Sequence, residues 1–159
     1  MPRRAFTVSE LTAACEPPDE ETRSLWLRRV RDWSNIGMVP ANRQHEGTGR
    51  HRLFSPDAVY ATAVLLRFAD LGIPIGNLRS LARLINAPRR TATERAFRQF
   101  WRAAKSLASP LDAYLAITPK REDPGITFYV LGWGNMILSS EDGWACINLT
   151  RVFRKLTEK

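Results

Sequence analysis

Residues 55–71, SPDAVYATAVLLRFADL, leave a chain of this kind few folds to choose from. Ser55 offers a hydroxyl cap, Pro56 suits a first helical position where no N–H is needed, and Asp57 places negative charge in the first turn. A helix is predicted from Ala58 to Leu71. Val59, Ala63, Val64, Leu65, Leu66 and Phe68 put apolar groups on most of its sides, and a helix that is apolar all round has to be buried. Other elements must therefore be arranged about it. Gly72 ends the helix, and Ile73-Pro74-Ile75-Gly76-Asn77 makes a tight connection. A further helix is predicted from Leu78 to Ile85 with Leu81, Leu84 and Ile85 inward, closed by Asn86-Ala87-Pro88.

Upstream, Phe6-Thr7-Val8 is a short apolar lead into a helix capped by Ser9, with Leu11, Ala14 and Cys15 on one face. Pro17-Pro18 stops it, since neither proline donates a backbone N–H. Asp19-Glu20-Glu21 supplies negative charge suited to the next helix N-terminus, and that helix is predicted from Thr22 to Asn35. Leu25, Trp26, Val30, Trp33 and Ile36 form its inward stripe, while Arg23, Arg28, Arg29 and Arg31 project elsewhere. Gly37 is a left-handed cap, and Met38-Val39-Pro40 leads out. The following stretch, RQHEGTGRHRLF, has two glycines flanked by basic residues and is expected to form a hairpin, with Leu53 anchoring the return strand. Arg50 and Arg52 sit two apart and share one face of that strand.

Charge separates this half from the rest. Residues 23–54 hold seven arginines against one aspartate and one glutamate, a formal +5. The whole chain carries +8; residues 1–105 hold 18 Lys+Arg and 10 Asp+Glu, whereas residues 106–159 hold six of each. Only four lysines occur, so a compositional bias explains the choice of arginine, but it does not explain where the excess lies. A polyanion partner is expected for the basic part alone.

Several classes are disfavoured. No apolar run reaches the roughly 18 residues of a membrane span, and the opening MPRRAFTVSEL lacks the apolar core of a signal peptide. The two cysteines, Cys15 and Cys146, have no neighbours at metal-ligand spacing and are expected to be small buried hydrophobes in a reducing compartment. There is no phosphate loop, and His45 and His51 lie in the expected hairpin without a carboxylate or nucleophile at motif spacing. No enzyme, metal or cofactor is expected, and the location is expected to be cytoplasmic and nucleoid-associated.

After residue 88 a second region is expected over 89–159. Thr91-Ala92-Thr93-Glu94 fits a capping box. The helix it opens, about 92–108, carries Phe97, Phe100, Trp101, Ala104 and Leu107 at spacings of three and four. Pro110 stops it, a short helical piece is expected from Leu111 to Ile117, and a charged linker runs from Pro119 to Pro124. Strands are expected at about 126–131, 135–138 and 144–149, with a short final helix capped by Thr150. Phe128, Trp133 and Trp144 are expected to be core aromatics in preference to a ligand pocket. The fold class is thus mainly α with a small antiparallel α+β module.

Four separated motifs, FTVSELTAAC, LRRVRDWSNIGMVP, GRHRLFSPDAV and RFADLGIPIGNLRSLARLI, occur in an order and spacing that resemble the MerR family of winged-helix transcription regulators over about residues 5–86. The resemblance implies an N-terminal winged helix-turn-helix domain over 1–88 that reads double-stranded DNA, with the second helix in the major groove and the basic wing on the backbone. By it, Arg31 matches the arginine that contacts the DNA backbone, Trp33 the aromatic beside it, and His51-Arg52-Leu53-Phe54 the end of the wing. Asp32 departs from the family pattern, standing where an aromatic is usual, and the loop from Glu16 to Arg23 is longer than usual. The expected DNA-binding set is Arg23, Arg28, Arg29, Arg31, Trp33, Arg43, Arg50, His51 and Arg52. A homodimer is implied, formed through Phe97, Phe100, Trp101, Ala104 and Leu107, the alternative being that this stripe packs on the chain's own C-terminal module; RNA polymerase at promoters is a candidate partner. The alternative is a DNA-architectural or excisionase-like recombination accessory protein built on the same winged domain.

Overall fold

The computed structural model describes residues 5–41, 43–44, 52–88, 90–119, 127–134 and 145–157. Among these residues it is mainly helical, with six helices, a two-stranded ladder and a three-stranded antiparallel sheet. By backbone packing the chain divides into two units, residues 1–66 and 67–159. That division falls inside the third helix, so the helix that follows groups with the C-terminal elements.

In the first unit, α1 (Val8–Ala14) starts two residues earlier than expected. Thr7 caps it in place of Ser9, because Glu10 stands three residues later and can answer it. Thr7 Oγ1 accepts from Glu10 N at 3.3 Å, while Thr7 N donates to Glu10 Oε2 at 2.8 Å, the reciprocal arrangement of a capping box. Helix α2 (Glu20–Asn35) is capped by Asp19, whose carboxylate accepts from Thr22 N at 2.7 Å. Trp26, Val30 and Trp33 are buried as expected. Leu25 and Ile36 are not: they are 43% and 48% exposed. Successive residues turn about 100° around a helix axis, so Leu25 points well away from its neighbour Trp26, and Ile36 stands off the buried side. Gly37 closes α2 at φ +75°, with its N–H donating to Ser34 O and that of Met38 to Trp33 O at 2.9 Å. This is the paired bonding of a Schellman cap.

The ladder of β1 (Arg43–Gln44) and β2 (Arg52–Leu53) is antiparallel, with Arg43 opposite Leu53 and Gln44 opposite Arg52. Its tip lies outside the described residues. Phe6 and Phe54 exchange two backbone bonds, of 3.0 and 2.8 Å, which brings the N-terminal lead alongside the hairpin. Helix α3 (Pro56–Asp70) follows at once. From Ala61 to Leu66 six consecutive residues are buried, so this stretch has no solvent face, as its composition requires.

In the second unit, α4 (Ile75–Asn86) buries Leu78, Leu81, Ala82 and Ile85. Helix α5 (Ala92–Ser106) has the expected Thr91–Glu94 capping box, but it ends before residue 108 because Leu107 takes the left-handed conformation at φ +53°. Residues 113–119, expected to begin as a helical piece, are instead strand β3 (Ala113–Pro119). It is the central strand, with β4 (Thr127–Trp133) and β5 (Ala145–Asn148) antiparallel on either side in the order β4-β3-β5. Pairing on both edges outweighs the helix preference of Ala113, Leu115 and Ala116. The strand expected at 135–138, together with Trp144, lies outside the described residues. Helix α6 (Leu149–Thr157) is capped by Asn148, not Thr150: Asn148 Oδ1 accepts from Arg151 N at 2.8 Å. The Thr150 hydroxyl is turned instead to the sheet, accepting from Ala113 N at 2.8 Å.

The aromatic stripe of α5 is used within the chain. Phe97, Trp101 and Ala104 are 3%, 4% and 1% exposed, and Trp101 meets Phe153 of α6 edge-on with ring centroids 5.1 Å apart. Phe100 packs against Trp133 at 5.2 Å. Three of the five residues expected to face a second subunit are therefore filled by this unit's own core; Phe100 and Leu107 are half-buried.

Candidate nucleic-acid interface

Among the described residues, the basic residues of the first unit fall on three elements, α2, β1 and β2. Along α2 three acids, Asp19, Glu20 and Glu21, stand at the start with Arg23 just after them, and Arg28, Arg29 and Arg31 follow with Asp32 beside them. The acidic start complements the helix dipole, whereas the last turn holds no basic residue. This distribution also means that a polyanion would meet repulsion at the N-terminus of α2 and attraction along its C-terminal half.

Arg28 and Arg31 are both exposed. Three residues apart on a helix, they are neighbours about 60° apart around the axis, on the side opposite Trp26 and Val30. Arg29 is half-buried and already engaged within the chain, and it faces away from Arg31. Arg23 makes an ion pair with Glu20 at 3.3 Å. Trp33 is 4% exposed and belongs to the core, so it supports α2 from beneath and has no face for a ligand. The four arginines thus do not form one patch. The structure sets Arg28 and Arg31 together and leaves Arg23 and Arg29 to either side.

Arg52 has a role that charge counting missed. Its Nη1 donates to Ser34 Oγ and to Asn35 Oδ1, both at 2.8 Å. The guanidinium therefore ties β2 to the last turn of α2, fixing the hairpin base beside Arg31. A planar group with several N–H donors in fixed directions can hold two acceptors at once. Ser34 and Asn35 were absent from the expected site. The signal for them was two short polar side chains just before the Gly37 stop, where an exposed helix end presents acceptors to whatever strand returns past it. Arg43 lies on β1 opposite Leu53, and its side chain is outside the described residues, as are Arg50 and His51.

The cysteines are free. Cys15 is buried, its Sγ donating to Val59 O at 3.7 Å, while Cys146 is only half-buried. Among the described residues no group of three or more His, Cys, Asp or Glu could hold a metal ion, and no helix is long and apolar enough to cross a membrane. No protein-family model matches the chain, and no curated protein matches it.

Proposed function

We propose that this chain is a sequence-specific DNA-binding transcriptional regulator of the MerR-like winged-helix type, acting as a homodimer. The C-terminal half of α2 enters the major groove with Arg28 and Arg31 leading, and the β1–β2 hairpin lies on the flanking backbone. The observation that carries this proposal is the pair of bonds from Arg52 to Ser34 and Asn35. They fix a basic hairpin against the basic half of a helix, so that both prongs are presented together. The acidic turn at Asp19–Glu21 sets the direction of approach, because it has to stay clear of the phosphates.

The test is a genome-wide footprint of the full chain on its own genomic DNA at physiological salt, with Arg31→Ala alongside. Discrete peaks sharing an inverted repeat at promoters, lost in the variant, are the expected result. Loss of one such contact should weaken binding by about 1–3 kcal/mol. Long, weakly specific coverage would favour the architectural alternative. Equal profiles for the two proteins would remove α2 from the interface.

A further inference from the structure

The second unit contains a cleft of about 430 Å³ that lies outside the proposed DNA-reading surface. Its walls come from three places: Arg67, Asp70 and Leu71 at the end of α3, Ile147 and Asn148 on β5, and Arg151, Val152 and Lys155 on α6. The volume lies in the range of small-molecule sites. Its chemistry is divided: Leu71, Ile147 and Val152 offer apolar surface, and three cationic side chains stand against one carboxylate. Arg151 and Lys155 are four apart on α6 and both exposed, so they occupy the same helix face one turn from each other.

The remaining polar wall is already committed. Asn148 donates to Asp112 Oδ2 at 2.8 Å and to the Tyr114 hydroxyl at 3.2 Å, and its carbonyl oxygen accepts from Arg151 N. The amide is locked in one orientation and acts as a fixed support for the first turn of α6, and with it for Arg151. A ligand here would be selected by charge and by apolar contact, with little contribution from Asn148.

From this arrangement we infer that the cleft binds a small amphipathic organic anion, with its acidic group held by Arg151 and Lys155 and its apolar body on Leu71, Ile147 and Val152. The inference does not depend on the proposed DNA binding, since every residue in it belongs to the second unit and none to α2 or the hairpin.

Octanoate is a suitable probe, because it joins a carboxylate to an alkyl chain. Octanol shares the body without the charge, and inorganic phosphate shares the charge without the body. Each would be titrated into the 159-residue chain, following backbone amide NMR shifts. Octanoate should give saturable shifts clustered at Leu71, Ile147, Asn148 and Arg151, and both single-feature probes should bind more weakly. The double variant R151Q/K155Q should weaken octanoate binding by about tenfold or more, as expected for losing charge-assisted contacts. R28Q/R31Q, which removes the same charge elsewhere, should leave it unchanged. Thermal melting of each variant separates lost binding from lost folding, because the replaced side chains are solvent-facing. Absence of saturable binding, shifts scattered over the protein, or equal weakening in both double variants would overturn the inference. Phosphate binding as tightly as octanoate would overturn it in favour of a bare anion site. Weaker DNA binding by R151Q/K155Q with octanoate affinity unchanged would overturn it in favour of a backbone contact.

Discussion

Thr62 is fully buried in α3, and its hydroxyl has no hydrogen-bond partner among the described residues. An unpaired buried hydroxyl costs free energy that a methyl of the same shape does not. Thr62→Val should therefore stabilise the protein by about 1 kcal/mol, seen as a higher midpoint in urea with an unchanged slope. A lower midpoint would mean that the hydroxyl is paired after all. Arg52 gives the opposite expectation. Its fork holds Ser34 and Asn35 together, and a lysine ammonium keeps the charge while losing the two fixed donor directions. Arg52→Lys should destabilise the protein by about 1 kcal/mol and weaken DNA binding although the net charge is unchanged. Affinity equal to that of the parent chain would show that Arg52 acts through charge alone.

Among the elements, α2 carries a testable pH dependence. The Thr22 N–H held by Asp19 lowers the carboxyl's pKa from its ordinary value near 3.8. A lowered folded-state pKa means that the stabilisation is complete above the ordinary value and is lost as pH falls through the lower one. Asparagine caps helices without titrating. Melting curves between about pH 6 and about pH 2 should therefore show the parent chain losing stability relative to Asp19→Asn only at the acidic end. Parallel curves throughout would mean that the cap contributes nothing beyond a neutral acceptor. The elements also show where the sequence was readable. Ser55-Pro56-Asp57, Gly37 and Thr91–Glu94 each carry their conformational cause in the residue itself, and the helices began or ended there. Leu107 ends α5 in the left-handed region without being glycine, so nothing local announced it. Strand β3 was missed because Ala113, Leu115 and Ala116 favour helix, and only partners far along the chain make them a strand. That Arg28 and Arg31 project from α2 was legible, but the half-buried place of Arg29 beside them was not. The use of Arg52 was not, because its acceptors lie 18 and 17 residues away.

For the whole molecule, the +8 charge is held by residues 1–105, with none in net from residues 106–159. Affinity for DNA should fall steeply with salt, because each neutralised phosphate releases condensed counterions. If Arg28 touches the backbone, Arg28→Gln should reduce the slope of log K against log salt by about 1, whereas Arg151→Gln should leave it as it was. Equal reductions would place both units on the DNA. The tie between β2 and α2 has a further, kinetic meaning. Hairpin and helix are joined before any ligand arrives, so the entropy of aligning them is spent during folding and not at the encounter. Association should then follow a single diffusional step, its rate set by ionic strength, with no slower ordering phase behind it.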